Sequence, residues 1–305
     1  LSFPTTYRAN GKLLLTGEYL VLHGAKVIAL PLKVGQQMVV SQVKNSSTVQ
    51  WKARFQDKIW FECVLNLGDF SVLQTSDSVK SEVLVKLFKA IKELNPGFQN
   101  PTGLKFETTL EPNPEWGFGS SSTLVSLLAQ WSGVDPFRLN EMVFHGSGFD
   151  IACATAGGPI FYTRNQPIQK LSLNYPFADQ LFLVYSGKKK GTANEVRSFL
   201  KEKVISETEI AEMSALSEEF AACGNHSEFN RLIEIHELMI GKLIGQIPVK
   251  AQLFPDFEGS IKSLGAWGGD FWLVSTQQSF SEMKSYFENK GLTTVFKWND
   301  LILKQ

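Results

Sequence analysis

The sequence predicts an α+β fold in two domains, and three observations carry that reading. β-forming segments crowd the first 65 residues, a glycine- and serine-rich loop opens a helix near residue 120, and the second half is mostly helical before a closing strand, helix and strand. In order, Leu13 to Thr16, Gln36 to Val43, Thr48 to Phe55 and Ile59 to Leu65 are strand-like runs between Gly, Asn and Asp breaks, and they read as a meander. Ser81 to Leu94 sets Val83, Leu84, Leu87, Phe88 and Ile91 on one helical face, and Asn95-Pro96-Gly97 ends it. Leu104 to Leu110 is the next strand. Beyond the bend Glu111-Pro112-Asn113-Pro114, the residues Leu124, Leu127, Leu128 and Trp131 fall at helical spacing. From Gly157-Gly158-Pro159 the pattern changes to short strands, Ile160 to Thr163 and Leu181 to Tyr185, then helical stretches between about Thr192 and Ile247. The tail reads as strand Phe271 to Ser275, helix Met283 to Glu288 and strand Thr293 to Phe296. The change of pattern near residue 165 divides the chain into domains 1–165 and 166–305.

Composition narrows the function. With 43% hydrophobic and 20% charged residues the chain is an ordinary globular protein, and extended disorder is excluded. Lys plus Arg and Asp plus Glu both number 30, so no net field draws the protein to nucleic acid or an anionic membrane, and any polyanion would have to be met by a local site. Cys63, Cys153 and Cys223 are odd in number and form no CxxC pair, which argues against a disulfide framework or a thiolate zinc site and for a cytoplasmic setting. No apolar run reaches the ~18 residues that span a bilayer, and Leu1 to Asn10 lacks the regions of a signal peptide. The numbering starts without Met, so it can begin inside the native chain.

The densest chemistry lies in Gly117-Phe118-Gly119-Ser120-Ser121-Ser122. Glycines let a backbone approach a ligand closely, serines supply hydroxyls, and a helix N-terminus offers unpaired amides and the positive end of its dipole. Together they suit an anion, phosphate above all; a plain helix cap after a tight turn accounts for the same residues equally well. The loop is neither a Walker A loop, having no Gly-Lys-Ser/Thr, nor a dinucleotide fingerprint, lacking the third Gly. Three more glycine-dense segments stand out: Gly11-Lys12 with Gly17-Glu18, His145-Gly146-Ser147-Gly148-Phe149-Asp150, and Gly265-Ala266-Trp267-Gly268-Gly269-Asp270. Taken alone, each is a turn, Asp150 a helix cap and Lys12 a solvated charge. His236-Glu237 has no second His at zincin spacing, and no Gly-x-Ser-x-Gly elbow is present.

Collectively these segments resemble the three motifs of the GHMP kinases, with Asn10 to Gly24 as the first, the central loop as the second and Leu264 to Phe271 as the third. The resemblance implies an N-terminal ribosomal protein S5 domain 2-like domain and a C-terminal ferredoxin-like domain, with ATP and Mg²⁺ as cofactors. It implies that Gly117, Gly119, Ser120, Ser121 and Ser122 wrap the triphosphate, that Ser121 and Glu141 hold Mg²⁺, and that Asp150 is the catalytic base with Lys12 its electrostatic partner. Glu18, Tyr19, Thr192 and Gly268 fall on the substrate side. The chain departs from the family in a shorter link between Glu141 and Asp150, in Tyr19 where mevalonate kinases usually have His, and in Trp267 and Asp270 where small residues are usual. Gly17-Glu18 and Leu22-His23-Gly24-Ala25 look like mevalonate kinase, while Glu-Tyr-Leu-Val-Leu and Gly-Ser-Gly-Phe-Asp resemble phosphomevalonate kinases. Mevalonate is the expected acceptor, with phosphomevalonate the alternative, then homoserine or a sugar, or a non-catalytic metabolite sensor; the expected assembly is a monomer or homodimer.

Overall fold

The computed structural model describes residues 4–97, 102–188, 204–265 and 270–304. Contacts divide the chain into two units. One takes Leu1–Gly11, Val34–Pro114 and Phe118–Thr155; the other takes Lys12–Lys33, Glu115–Gly117 and Ala156–Gln305. The division is interleaved, where the sequence suggested one cut near residue 165, because the strands β1 (Thr5–Leu14) and β2 (Val27–Val43) each run from one unit into the other.

In the first unit, β3 (Thr48–Phe55), β4 (Lys58–Asn66), β5 (Val72–Thr75) and β6 (Gly103–Leu110) join β2 in the order β5-β4-β3-β6-β2, and β1 pairs with β2. The expected meander is corrected here: β6 inserts between β2 and β3, antiparallel to the first and parallel to the second. A parallel pair needs a crossover, and helix α1 (Ser78–Leu94) lies on that connection. It starts earlier than its apolar stripe because Asp77 caps it, accepting the Lys80 amide. Helices α2 (Ser120–Ser132), α3 (Pro136–Val143) and α4 (Phe149–Thr155) complete the unit. Aromatic rings centre its core: Trp51 stacks on Phe106 at 5.2 Å, and Trp131 meets Phe106 edge-on at 4.8 Å.

In the second unit, the start of β2 pairs with β7 (Ile160–Tyr162), which pairs with β8 (Gln169–Lys170). A separate antiparallel sheet has the order β10 (Ser260–Leu264), β11 (Phe271–Ser275), β9 (Leu181–Tyr185), β12 (Val295–Lys297). Helices α5 (Glu207–Ala222), α6 (His226–Ile244), α7 (Val249–Leu253), α8 (Phe280–Glu288) and α9 (Trp298–Leu301) accompany it. Ser206 and Glu209 form a capping box at the start of α5, and Asn225 caps α6. One face of the sheet packs Phe182 and Trp272 against Phe254, Phe257 and Phe287. The three cysteines are buried, and among the described residues no helix is long and apolar enough to cross a membrane.

Candidate functional site

The glycine- and serine-rich loop is set up by the strands beneath it. Glu111, just past the end of β6, receives two hydrogen bonds from the Arg8 guanidinium and one from the Gly35 amide at 2.8 Å. Burial works to raise the Glu111 carboxyl, but Arg8 and Gly35 together hold it below its ordinary value. This anchors the Pro112-Asn113-Pro114 bend over the crossing of β1 and β2, where a Cβ on Gly35 would stand 2.0 Å from the Ala9 carbonyl oxygen. Gly11, Gly35, Phe118, Ser120 and Thr123 border a void of only ≈ 10 Å³, about one water. The loop therefore lies directly on strand backbone.

Gly119, with φ 87° and ψ 40°, is the N-cap of α2, and no side chain caps the helix. A left-handed cap without a side-chain acceptor leaves the amides of the first turn to a ligand or to water. The Ser122 hydroxyl donates to the Gly119 carbonyl at 2.8 Å, and Thr123 Oγ1 donates to Gln36 Oε1 at 2.7 Å, tying the turn to β2. Ser121 is exposed and Ser120 half-buried. Glu141 is exposed on α3, and Asp150, half-buried, sits in the first turn of α4 with Oδ1 accepting the Ile151 amide at 3.0 Å. Ser121 and Glu141 are oxygen donors facing solvent, and no group of three His, Cys, Asp or Glu gathers among the described residues. That donor chemistry fits Mg²⁺, which keeps waters and binds phosphate oxygens, better than a protein cage.

In the second unit, Lys12 is half-buried near the end of β1. The chain then leaves the strand through Thr16 and Gly17, whose φ of +80° a side chain would strain. Glu18 follows, 3% exposed, with Oε1 accepting from Lys262 Nζ at 2.6 Å. His236 Nε2 lies 3.0 Å from Glu18 Oε2 and accepts the Gly17 amide at 3.1 Å. Burial works to raise the Glu18 carboxyl, but Lys262 and then His236 hold it below its ordinary value. Burial, and then the Lys262 charge, push the His236 imidazole down, leaving it a neutral acceptor for Gly17. Thr16 and Ser217 share a further hydrogen bond at 2.7 Å. Tyr19 is half-buried with φ 68°, so the loop holds a non-glycine residue in the left-handed region.

Gly117 packs against Asp270, whose Oδ2 would lie 1.9 Å from a Cβ there, and its φ of +67° also favours glycine. Trp116 beside it meets Phe296 edge-on at 5.1 Å, and Tyr185 Oη donates to the Glu115 carbonyl at 3.2 Å. The structure thus brings Gly119, Ser120, Ser121 and Ser122 into one turn and sets Glu18 and Tyr19 on one loop. Asp150 and Lys12 fall in different units. Thr192 and Gly268, with Trp267, lie outside the described residues. Sequence reasoning missed Lys262 and gave His236 no role; nothing in Ser-Ile-Lys-Ser-Leu marks its lysine as buried, although the strand it forms is buried throughout.

No family model and no curated protein matches the chain. Solved structures do match it in fold. The mevalonate kinase of Methanococcus jannaschii superimposes with a TM-score of 0.72 at 14% identity, over 99% of this chain and 98% of that one. The phosphomevalonate kinase of Streptococcus pneumoniae, in complex with phosphomevalonate and AMPPNP, gives 0.71 at 15% identity, over 96% and 99%. The galactokinase of Lactococcus lactis, complexed with galactose, gives 0.64 at 11% identity, over 98% and 93%. The architecture is the GHMP kinase fold.

Proposed function

We propose that the chain is an ATP-dependent kinase that transfers the γ-phosphate to the hydroxyl of mevalonate, as an early step toward isoprenoid precursors. The observation that carries the reading is the uncapped first turn of α2 behind left-handed Gly119, in a chain whose whole length shares the fold of small-molecule kinases. In phosphoryl transfer a protein mainly positions groups and neutralises charge. The amides of Ser120, Ser121 and Ser122 would receive the phosphates, and Ser121 and Glu141 would hold Mg²⁺. When bound, Mg²⁺ supplies neutralisation of the phosphate oxygens. Asp150 would accept the proton that the acceptor hydroxyl loses, and Lys12 would lower the cost of the developing alkoxide. Glu18, paired with Lys262, would hold its loop in place so that Tyr19 meets the substrate; Thr192 and Gly268 complete the substrate side in this reading.

Phosphomevalonate is the second reading, favoured by Gly146-Ser147-Gly148-Phe149-Asp150 and by a fold match as good as that to mevalonate kinase. Fold alone does not choose the acceptor. The test is turnover of ATP and Mg²⁺ with mevalonate, phosphomevalonate, diphosphomevalonate, homoserine and galactose, with mass spectrometry of the products. A phosphorylated mevalonate is the expected product. ATP binding without turnover of any of these acceptors overturns the mevalonate and phosphomevalonate readings in favour of an untested acceptor or a metabolite sensor. Asp150→Asn is expected to lower kcat by about 10² or more while ATP affinity holds; near-normal turnover removes the base role.

A further inference from the structure

Trp116 stands directly before the glycine- and serine-rich loop, where a turn between Pro114 and Gly117 has no local need of so large a side chain. Pro114–Trp116 form a short 3₁₀ turn, and Glu115–Gly117 belong to the second unit although the chain on either side belongs to the first. The Trp116 ring sits in a frame of three aromatic side chains from adjacent strands. Phe296 of β12 meets it edge-on at 5.1 Å, Phe271 of β11 edge-on at 6.3 Å and Tyr185 of β9 tilted at 6.5 Å. Strand register explains the frame: Phe271 pairs with Tyr185 and Phe296 pairs with Leu183, two residues back, so all three point from one face of the sheet. Edge-to-face rings at these separations contribute beyond their burial. The backbone is held as well, since the Glu115 carbonyl accepts from Tyr185 Oη at 3.2 Å and Gly117 lies against Asp270, whose own carbonyl accepts the Ser186 amide at 3.0 Å.

Trp116, Tyr185 and Phe296 are each only half-buried, so the frame lies at the margin of the sheet and outside its core on the opposite face. Gly117 and Gly119 both hold positive φ, and glycine accepts many other conformations as readily. Local preference therefore does not fix the loop, and an anchor must. We infer that Trp116 is a positioning residue for the nucleotide: by holding Glu115–Gly117 on the sheet it presets the Gly119 cap, and the amides of the first turn of α2 are aimed before the phosphates arrive. Gly117 is two residues from Gly119, so the anchor acts within about 7 Å of the cap. The inference rests on the kinase reading and deepens it. Trp116 acts through the loop, without touching phosphate. A loop cut from its anchor has to be ordered by the ligand, which lowers affinity and leaves the chemical step alone.

The test compares the full native chain with Trp116→Ala, Trp116→Phe and Phe296→Ala, by hydrogen exchange with mass spectrometry and by titration with MgATP. Trp116→Ala is expected to speed exchange in the peptide covering residues 115–122, not in β9 or β11, and to weaken MgATP about tenfold. Phe296→Ala opens the nearest wall of the frame and should act the same way to a smaller degree. Trp116→Phe keeps an edge-on ring and should restore most of the native affinity. With whichever acceptor turns over, the loss should fall on KM for ATP, while kcat at saturating ATP stays within about twofold. Unchanged exchange at 115–122 overturns the inference, as does faster exchange with native MgATP affinity. Faster exchange spread across the second unit that Trp116→Phe does not rescue marks a merely structural residue and overturns it too. A native chain that binds no MgATP is a separate result, seen before any variant is compared, and removes the kinase reading and this inference together.

Discussion

Burial holds the Glu237 carboxyl at about 8, against an ordinary value of 4.5, and proton counting gives the sign of its effect on stability. Between those two values the folded state keeps a proton that the unfolded chain has lost. Stability therefore falls as pH rises through this window, by up to about 1.4 kcal/mol per unit. His236 and Glu18 act the other way in acid. The imidazole, held below 6.5, is neutral when folded, so stability rises with pH as the unfolded imidazole loses its proton through 6.5. The Glu18 carboxyl, held below 4.5, adds stability that is complete above that value and lost as pH falls through its folded value. From about pH 7.5 to 9, where the unfolded imidazole has also lost its proton, only Glu237 of this cluster still slopes. Urea unfolding at steps across that range is expected to show stability falling in the native chain and a flatter line in Glu237→Gln. Parallel lines would mean that Glu237 enters the folded state already charged.

Elements meet through the Glu18–Lys262 pair, which joins the loop after β1 to β10 across 244 residues of sequence. Both groups are almost fully buried, so deleting one partner strands the other's charge. Lys262→Met is expected to cost about 3–5 kcal/mol in denaturant unfolding, and Glu18→Gln added to it should restore most of that. A double variant no more stable than Lys262→Met would show that Lys262 acts through packing alone. The same pair marks where sequence reading stops. β9 and β11 were legible residue for residue because they are apolar runs between turn residues. β10 was not, since Ser260, Lys262 and Ser263 are polar residues buried only because distant partners satisfy them. The place of β6 between β2 and β3 was hidden too, because local patterning says which segments are strands but not which are neighbours. Glycine gave the loop away: Gly117 and Gly119 both need positive φ, and the order Gly-x-Gly followed by serines states a turn and then a helix start. Nothing comparable marked Glu18 for Lys262 or His236 as a partner.

Across the whole molecule, the fold is shared at 11–15% identity with proteins named for mevalonate, phosphomevalonate and galactose, so shape is common property and chemistry lies in a few side chains. With no net charge, long-range attraction adds little to the binding of an anionic nucleotide, and affinity must come from the local site. Ligand-linked stability tests that site without assuming an acceptor. ATP with Mg²⁺ at about 100 times its Kd should stabilise the folded chain by about 2.7 kcal/mol, a rise in Tm of about 5 °C for a chain of this size. Chelating the metal is expected to remove part of the shift, because the phosphate charge then meets only the helix amides. Ser121→Ala should leave the metal-free shift with ATP unchanged and move the Mg²⁺ titration to higher concentration. An unchanged titration would take Ser121 out of the metal's surroundings, and no shift with ATP at any Mg²⁺ concentration would remove nucleotide from the first turn of α2.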